Sequence, residues 1–235
     1  MYLSDFEYDY PLFRPPSEAN SLILQITFGC SWNRCAFCEM YTSKQFRIKK
    51  IEQIKQEIDV LKASNINVNK VFLADGDALV LKTKKLLEIL EELKRAFPQL
   101  RRVSTYSKPK DLLNKSLDEL KELKDAGLSL IYSGLETGDE ELLKLINKGE
   151  TYRSSADGLI KGKMAGIKSS VMMINGLGGR AYSFQHAVNS ARLINEIQPE
   201  YLSTLVLSYP FGEAHFKKRI PFSFEALSTL ELIEE

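Results

Sequence analysis

The sequence predicts an α/β protein whose parallel sheet is flanked by helices, and three observations predict it. Short β-rich apolar runs alternate with amphipathic helical patterns about six times. No low-complexity linker or composition break interrupts them. Nearly every apolar run ends in a cluster of polar residues or glycines. Regular βα alternation of this kind gives either an open doubly wound sheet or a barrel. At 235 residues and 44% hydrophobic content the chain can bury a substantial core. One domain over residues 21–235 is expected, preceded by an extended, proline-containing segment over 1–20.

The elements follow in order. SLILQITF (21–28) is apolar and β-rich, a strand running straight into GCSWNRCAFCEMY (29–41). Ile51, Ile54, Ile58 and Leu61 recur at helical spacing, which predicts a helix over 48–63. KVFLA (70–74) is a strand and 82–97 a helix stopped by Pro98. RRVSTY (101–106) is the third strand, followed by a helix near 116–125. LSLIYS (128–133) precedes a helix from Asp139, with Gly127 and Gly149 as end markers. IKSSVMMIN (167–175), a helix near 183–197, YLSTLVL (201–207) and a helical pattern from about 223 complete the series.

Composition narrows the functional classes. Lys plus Arg number 32 against 31 Asp plus Glu, a formal net charge of +1. Such a balance does not indicate a broad surface for nucleic acid or anionic lipid. No basic start followed by a long apolar run marks a signal peptide, and no apolar stretch has the length of a membrane span. The only three cysteines, Cys30, Cys35 and Cys38, lie within nine positions. An odd, clustered count suits a disulfide framework poorly, so a soluble, cytoplasmic, reduced protein is expected.

Three thiols so close together are open to three readings. They are ordinary buried cysteines; or they hold zinc, with a fourth ligand from His186, His215 or a carboxylate; or they hold an iron–sulfur cluster. A four-iron cluster takes one thiolate per iron, so three thiolates leave one iron open for an outside ligand. Parallel strands deliver their carboxyl ends to one rim, where βα proteins build their sites. Asp75-Gly76-Asp77, Glu136 and Gly176-Leu177-Gly178-Gly179 all fall at strand ends. Each taken alone is an ordinary turn, helix cap or loop.

Cys-x4-Cys-x-Phe-Cys after the first strand resembles the cluster motif of radical S-adenosylmethionine (SAM) enzymes. The commonest family spacing is Cys-x3-Cys-x2-Cys, and the inserted residue resembles a poorly characterised subgroup of those proteins. The resemblance extends from about residue 11 to 210 and implies a partial (β/α)6 TIM-like barrel with parallel strands. It implies cluster ligation by Cys30, Cys35 and Cys38, with Phe37 near adenine. Asp75, Gly76 and Asp77 stand where the family receives the methionine ammonium of SAM. Glu136 stands at the ribose position, and Lys148 resembles a residue that contacts the methionine carboxylate. Gly176 and Gly178 belong to the turn that approaches adenosine, but Arg180-Ala181 replaces the usual acid after it.

The implied activity is that of a radical SAM enzyme with a [4Fe–4S] cluster and SAM as cofactors. An electron donor such as flavodoxin or ferredoxin is the implied partner, and no membrane is. The competing class is a non-catalytic zinc or iron–sulfur scaffold or regulatory protein. Tyr106, Arg180, His186 and Tyr209 are candidates to face the substrate, and Arg47 to reach the site. Six units cannot close a barrel that needs eight strands. A lateral gap is therefore expected, and with a C-terminus cut short the SAM site is expected to lie open to water.

Overall fold

The computed structural model describes residues 8–235. After a 3-10 turn at Pro16–Glu18 come strands β1 (Leu22–Gln25), β2 (Thr27–Phe28) and β3 (Arg47–Ile48), then helix α1 (Ile51–Ala63). Strand β4 (Lys70–Ala74) leads to α2 (Thr83–Ala96), and β5 (Arg102–Tyr106) to α3 (Pro109–Leu113) and α4 (Leu117–Asp125). Strand β6 (Leu128–Glu136) leads to α5 (Glu140–Leu145) and α6 (Tyr152–Met164). Strand β7 (Lys168–Asn175), α7 (Gly179–Ile197), β8 (Tyr201–Val206), α8 (Glu213–Arg219) and α9 (Thr229–Glu234) complete the chain.

The main sheet has six strands in the order β1-β4-β5-β6-β7-β8, every neighbouring pair parallel. Each strand pairs with the one before it in sequence, so the order never reverses. A doubly wound sheet needs such a reversal; a sheet that always advances one way curls into a barrel wall. This order settles the fold as a partial (β/α)6 barrel. β1 and β8 are its two unpaired edges.

The outer face carries the main core. Leu24, Val71, Leu73, Val103, Val171 and Met173 from the strands pack on Ile54, Ile58, Leu86, Ile89, Leu93, Leu120 and Leu193 from the helices. The inner face is aromatic: Phe72, Tyr106 and Tyr132 meet edge to face with ring centroids 5.1–6.2 Å apart. The N-terminal segment enters this interior. Leu12 packs beside Phe72, and Glu18, fully buried, accepts from Tyr132 Oη at 2.6 Å and Arg102 Nη2 at 2.7 Å. Leu12 and Glu18 thus fill part of the interior, whereas residues 1–7 of the expected extended segment lie outside the described residues.

Several expected elements differ. The strand expected over 21–28 is two strands, because the chain turns away from the sheet at Ile26. β1 stays in the barrel, while β2 pairs antiparallel with β3 and so closes the base of the cysteine loop. β6 runs on to Glu136, past the expected end at Ser133. The helix from Asp139 ends at Leu145, before the left-handed Asn147 (φ 53°) and Gly149 (φ 76°), and a further helix, α6, follows that was not expected. α7 starts at Gly179, four residues early.

The chain end differs most. No helix starts near 223: α8 ends at Arg219, Pro221 follows, and α9 waits for its Ser228 cap. The segment after β8 folds back over the rim, packing Phe216, Ile220 and Phe224 on Ala36, Ile174 and Leu177. Asp75 and Asp77 are fully buried and Glu136 nearly so. The rim acids are thus covered, whereas the three cysteines are only half-buried and all six residues of β8 are exposed.

Glu18 generates a stability prediction. Burial opposes its ionisation, but hydrogen bonds from Ser21, Tyr132, Ser104 and Arg102 outweigh that and hold its pKa below 4.5. A depressed folded-state pKa contributes stability above the unfolded value that is lost as pH falls through the folded one. Glu18→Gln should cost about 1–2 kcal/mol at pH 7, because Arg102 is partly solvated. It should also flatten the fall of Tm below pH 4.5, measured by thermal unfolding from pH 7 to 3. An unchanged acid limb would show that Glu18 is not the group responsible.

Candidate cofactor site at the barrel rim

The three cysteines sit on the loop between β2 and β3, half-buried and free. Neighbouring elements fix that loop by its backbone. Ala36 N donates to Ile146 O at 2.8 Å, and Arg219 Nη2 donates to Cys35 O at 2.8 Å. Trp32 Nε1 donates to Asn147 O at 2.8 Å, and Asn147 Nδ2 to Arg34 O at 3.1 Å. Within the loop Asn33, at φ 47°, donates to Tyr41 O at 2.8 Å. Burial pushes the Cys35 thiol up to about 11, against the pull of Lys148, and burial also raises Cys38. Bound metal reverses that preference, since a coordinating thiol is deprotonated outright. Among the described residues no three His, Cys, Asp or Glu side chains converge to hold a single ion. A polynuclear cluster does not require such convergence, because each thiolate takes its own iron.

The acids after β4 divide the work. Asp75, after a cis Ala74–Asp75 peptide, gives Oδ2 to Gln25 Nε2 (2.9 Å), Gly29 N (2.9 Å) and Lys44 Nζ (2.8 Å). That oxygen is occupied by the protein itself, while Oδ1 is buried without a partner. Gly76 donates its amide to Gly29 O at 3.1 Å, and a Cβ there would lie 2.5 Å from the Tyr41 ring. Gly76 is glycine because Tyr41 lies against it. Asp77 Oδ2 accepts from Ser31 Oγ and lies 3.2 Å from Lys108 Nζ, while its Oδ1 is buried without a partner. Asp111 stands beside it. Burial and then the Asp77 charge raise the Asp111 pKa, favouring its protonated form.

Glu136 and Lys148 form one unit. Glu136 holds left-handed backbone (φ 68°), and its carboxylate folds back over Gly134, where a Cβ would lie 1.9 Å from Oε1. Oε1 accepts from Lys148 Nζ at 2.8 Å, and Nζ lies 5.6 Å from the Phe37 ring centroid. Burial opposes the Lys148 charge, yet Glu136 and then Cys35 outweigh it and raise the pKa above that of an ordinary lysine. The sequence-selected Cys35, Phe37, Glu136 and Lys148 are thereby brought together.

The other selected residues fall elsewhere. Gly176 (φ 79°) and Gly178 form the turn before α7, but Gly176 N donates to the Glu235 carboxylate, and Leu232 lies over the turn. Arg180, a candidate to face the substrate, instead clamps the C-terminal segment. Its guanidinium pairs with Glu225 and Glu231, each at 3.1 Å. His186 is buried with Nδ1 2.8 Å from Thr137 Oγ1, and burial lowers its pKa, so it packs the rim as a neutral ring. Tyr209 lies among Phe216 and Phe224, Tyr106 lines the interior, and Arg47 pairs with Asp9 at 3.0 Å on the surface. The residues that sequence reasoning passed over are Lys44, Ser31, Lys108, Asp111 and Gly134. Lys108 and Asp111 directly follow β5, so the strand-end rule alone was enough to find them. Lys44 gave no signal, because its partner is 31 residues away.

Comparison with known proteins bears on this geometry. The family model described as the Radical SAM superfamily matches residues 24–194. The chain is 20% identical over 195 residues to the heme chaperone HemW of Buchnera aphidicola subsp. Acyrthosiphon pisum (strain APS), covering 80% of this chain and 50% of HemW. It is 29% identical over 139 residues to bacteriochlorophyllide d C-8(2)-methyltransferase of Chlorobaculum tepidum (strain ATCC 49652 / DSM 12025 / NBRC 103806 / TLS), covering 55% and 29% respectively. Among solved structures it resembles coproporphyrinogen III oxidase (HemN) from Escherichia coli, with TM-score 0.66, 18% identity and coverage of 91% and 50%. Methylornithine synthase (PylB) gives TM-score 0.62, 17% identity and coverage of 91% and 60%. The chain thus spans half or less of the length of these two curated relatives.

The packing of Tyr41 on Gly76 is testable beside an uncrowded glycine. Gly76→Ala forces a Cβ into a buried ring and should cost about 1–3 kcal/mol. Gly162→Ala, in α6 with its nearest neighbour at 3.5 Å, should be neutral or stabilise by about 0.4–1 kcal/mol. Urea unfolding of both variants checks the contrast, and equal midpoints would refute the crowding argument.

Proposed function

The chain belongs to the radical SAM superfamily, whose enzymes use a [4Fe–4S] cluster and SAM, and on that premise we propose that it binds the cluster through Cys30, Cys35 and Cys38 and cleaves SAM reductively. The observation that carries this reading is the rim itself. Three free thiols share one anchored loop, the sequence has no fourth, and a buried carboxylate oxygen of Asp77 lacks a partner. Three thiolates suit a four-iron cluster with one open iron, and an unpartnered buried carboxylate oxygen suits an ammonium. When bound and reduced, the cluster supplies the electron that splits SAM into methionine and a 5′-deoxyadenosyl radical.

The chain's own residues bind, orient and exclude water. Asp77, held by Ser31 and Lys108, is the acceptor for the methionine ammonium. Lys148 is the cation for the methionine carboxylate, and Glu136, kept in place over Gly134, accepts from the ribose hydroxyls. Phe37 offers its ring beside Lys148, near where adenine is expected. Gly176 offers a backbone amide once the Glu235 carboxylate yields it. The apolar cover of Phe216, Ile220 and Phe224 keeps bulk water from the rim. A reductant such as flavodoxin or ferredoxin delivers the electron.

Anaerobic reconstitution tests the proposal. About four irons per chain are expected, and replacing Cys30, Cys35 or Cys38 by Ala should each remove most of them. Dithionite and SAM should then yield methionine and 5′-deoxyadenosine. Stable binding of about one zinc with no iron, in protein kept free of oxygen, would overturn the reading. Asp77→Asn and Glu136→Ala should keep the iron but weaken SAM binding roughly tenfold to a hundredfold, the loss of a charged hydrogen bond of about 1.5–3 kcal/mol. Equal SAM affinity in both variants, measured by calorimetry, would reject these two assignments.

A further inference from the structure

Both ends of the cysteine loop terminate on one oxygen atom. The loop leaves β2 at Gly29, whose amide donates to Asp75 Oδ2 at 2.9 Å. It returns toward β3 through Lys44, whose ammonium donates to the same Oδ2 at 2.8 Å. The two charged side chains are 3% and 0% exposed. Asp75 cannot follow the loop if the loop moves. Its own amide donates to Thr27 Oγ1 at 3.0 Å, and Ile26 N donates to the preceding Ala74 O at 2.7 Å. From the far side Gln25 Nε2 holds Oδ2 at 2.9 Å, and it shares a second acceptor, Asp9 O, with the Lys44 ammonium.

We propose that Asp75 and Lys44 are positioning residues, a staple that fixes the spacing of the three thiols before iron arrives. The inference rests on the proposed cluster only in naming what the loop will hold. Closing a loop costs chain entropy whether or not a ligand is present. A loop ordered in advance leaves less of that cost to be met on binding. A buried ion pair makes the closure nearly all-or-none, because either end leaving strands an uncompensated charge in the interior. An apolar contact at the same place would permit gradual fraying.

The test reads the loop without any cluster. In the iron-free protein, the alkylation rate of each cysteine by iodoacetamide is followed by mass spectrometry in the parent, Lys44→Met, the double variant Asp75→Asn/Lys44→Met, Lys44→Arg and Gln25→Ala. The double variant leaves no unpaired ion and so removes the staple with the least risk to folding, checked by circular dichroism. Lys44→Gln is read in the same way should the double variant not fold. Thiols of Lys44→Met and the double variant should react roughly tenfold faster, the equivalent of one lost charged hydrogen bond. Lys44→Arg should restore the parental rate, and Gln25→Ala, which keeps the Lys44–Asp75 pair, should raise it less than Lys44→Met does. After reconstitution, the unstapled variants should hold less iron and give a broadened electron paramagnetic resonance signal. Parental alkylation rates in the folded unstapled variants, or a Gln25→Ala effect as large as theirs, would overturn the staple. A parent that takes up no iron would instead overturn the proposed cluster, with the staple still decided by alkylation.

Discussion

Parallel pairing of each strand with its predecessor is the constraint on which everything else hangs. It obliges the chain to cross back outside the sheet after every strand, which places the helices on one face and leaves the other as a barrel interior. It also sends all six carboxyl ends to a single rim. Residues as far apart as Cys35, Glu136 and Lys148 become neighbours there by topology, with no local sequence signal joining them. Outside that rim the pattern is ordinary packing of leucine and isoleucine between sheet and helices.

At the rim, three buried carboxylates from two strand ends each have a lysine. Asp75 pairs with Lys44, Asp77 with Lys108 and Glu136 with Lys148. The pairs are alike in chemistry and different in use. Asp75 spends its bonded oxygen wholly on the protein, which makes it an anchor. Asp75 and Asp77 each also keep one buried oxygen without a partner. Glu136 and Lys148 lie against the cysteines and Phe37, where a zwitterionic ligand can meet either member of the pair. A buried charge is tolerated only when compensated, so the lysines are what allow three acids to stand so near the thiols.

The two chain ends complete a barrel that six strands leave open. The N-terminal segment fills the interior with Leu12 and Glu18. The segment after β8 covers the rim and is tied down by Arg180 through Glu225 and Glu231. β8 stays exposed along its length, with Tyr201, Leu202, Leu205 and Val206 each more than half accessible. Closure is therefore uneven: apolar cover over Ala36, Ile174 and Leu177 at the rim, none along the final edge.

The sequence by itself determined the α/β class, the succession of strands and helices, and the three cysteines as a group. These features are local. Apolar periodicity, glycine and proline breaks and close cysteine spacing are written within a few residues of one another. The aromatic inner face, helix α6 and the fate of the chain end were not legible. Phe224 reads as helical until Pro221 and the apolar rim compete for it. The division of labour at Asp75-Gly76-Asp77 was equally hidden, since three adjacent residues of one turn read alike. Only the tertiary structure set Lys44 against Asp75, Tyr41 against Gly76 and Ser31 against Asp77. The reason is physical: a buried polar atom takes its role from the partner that satisfies it, and that partner lies on a different strand or loop.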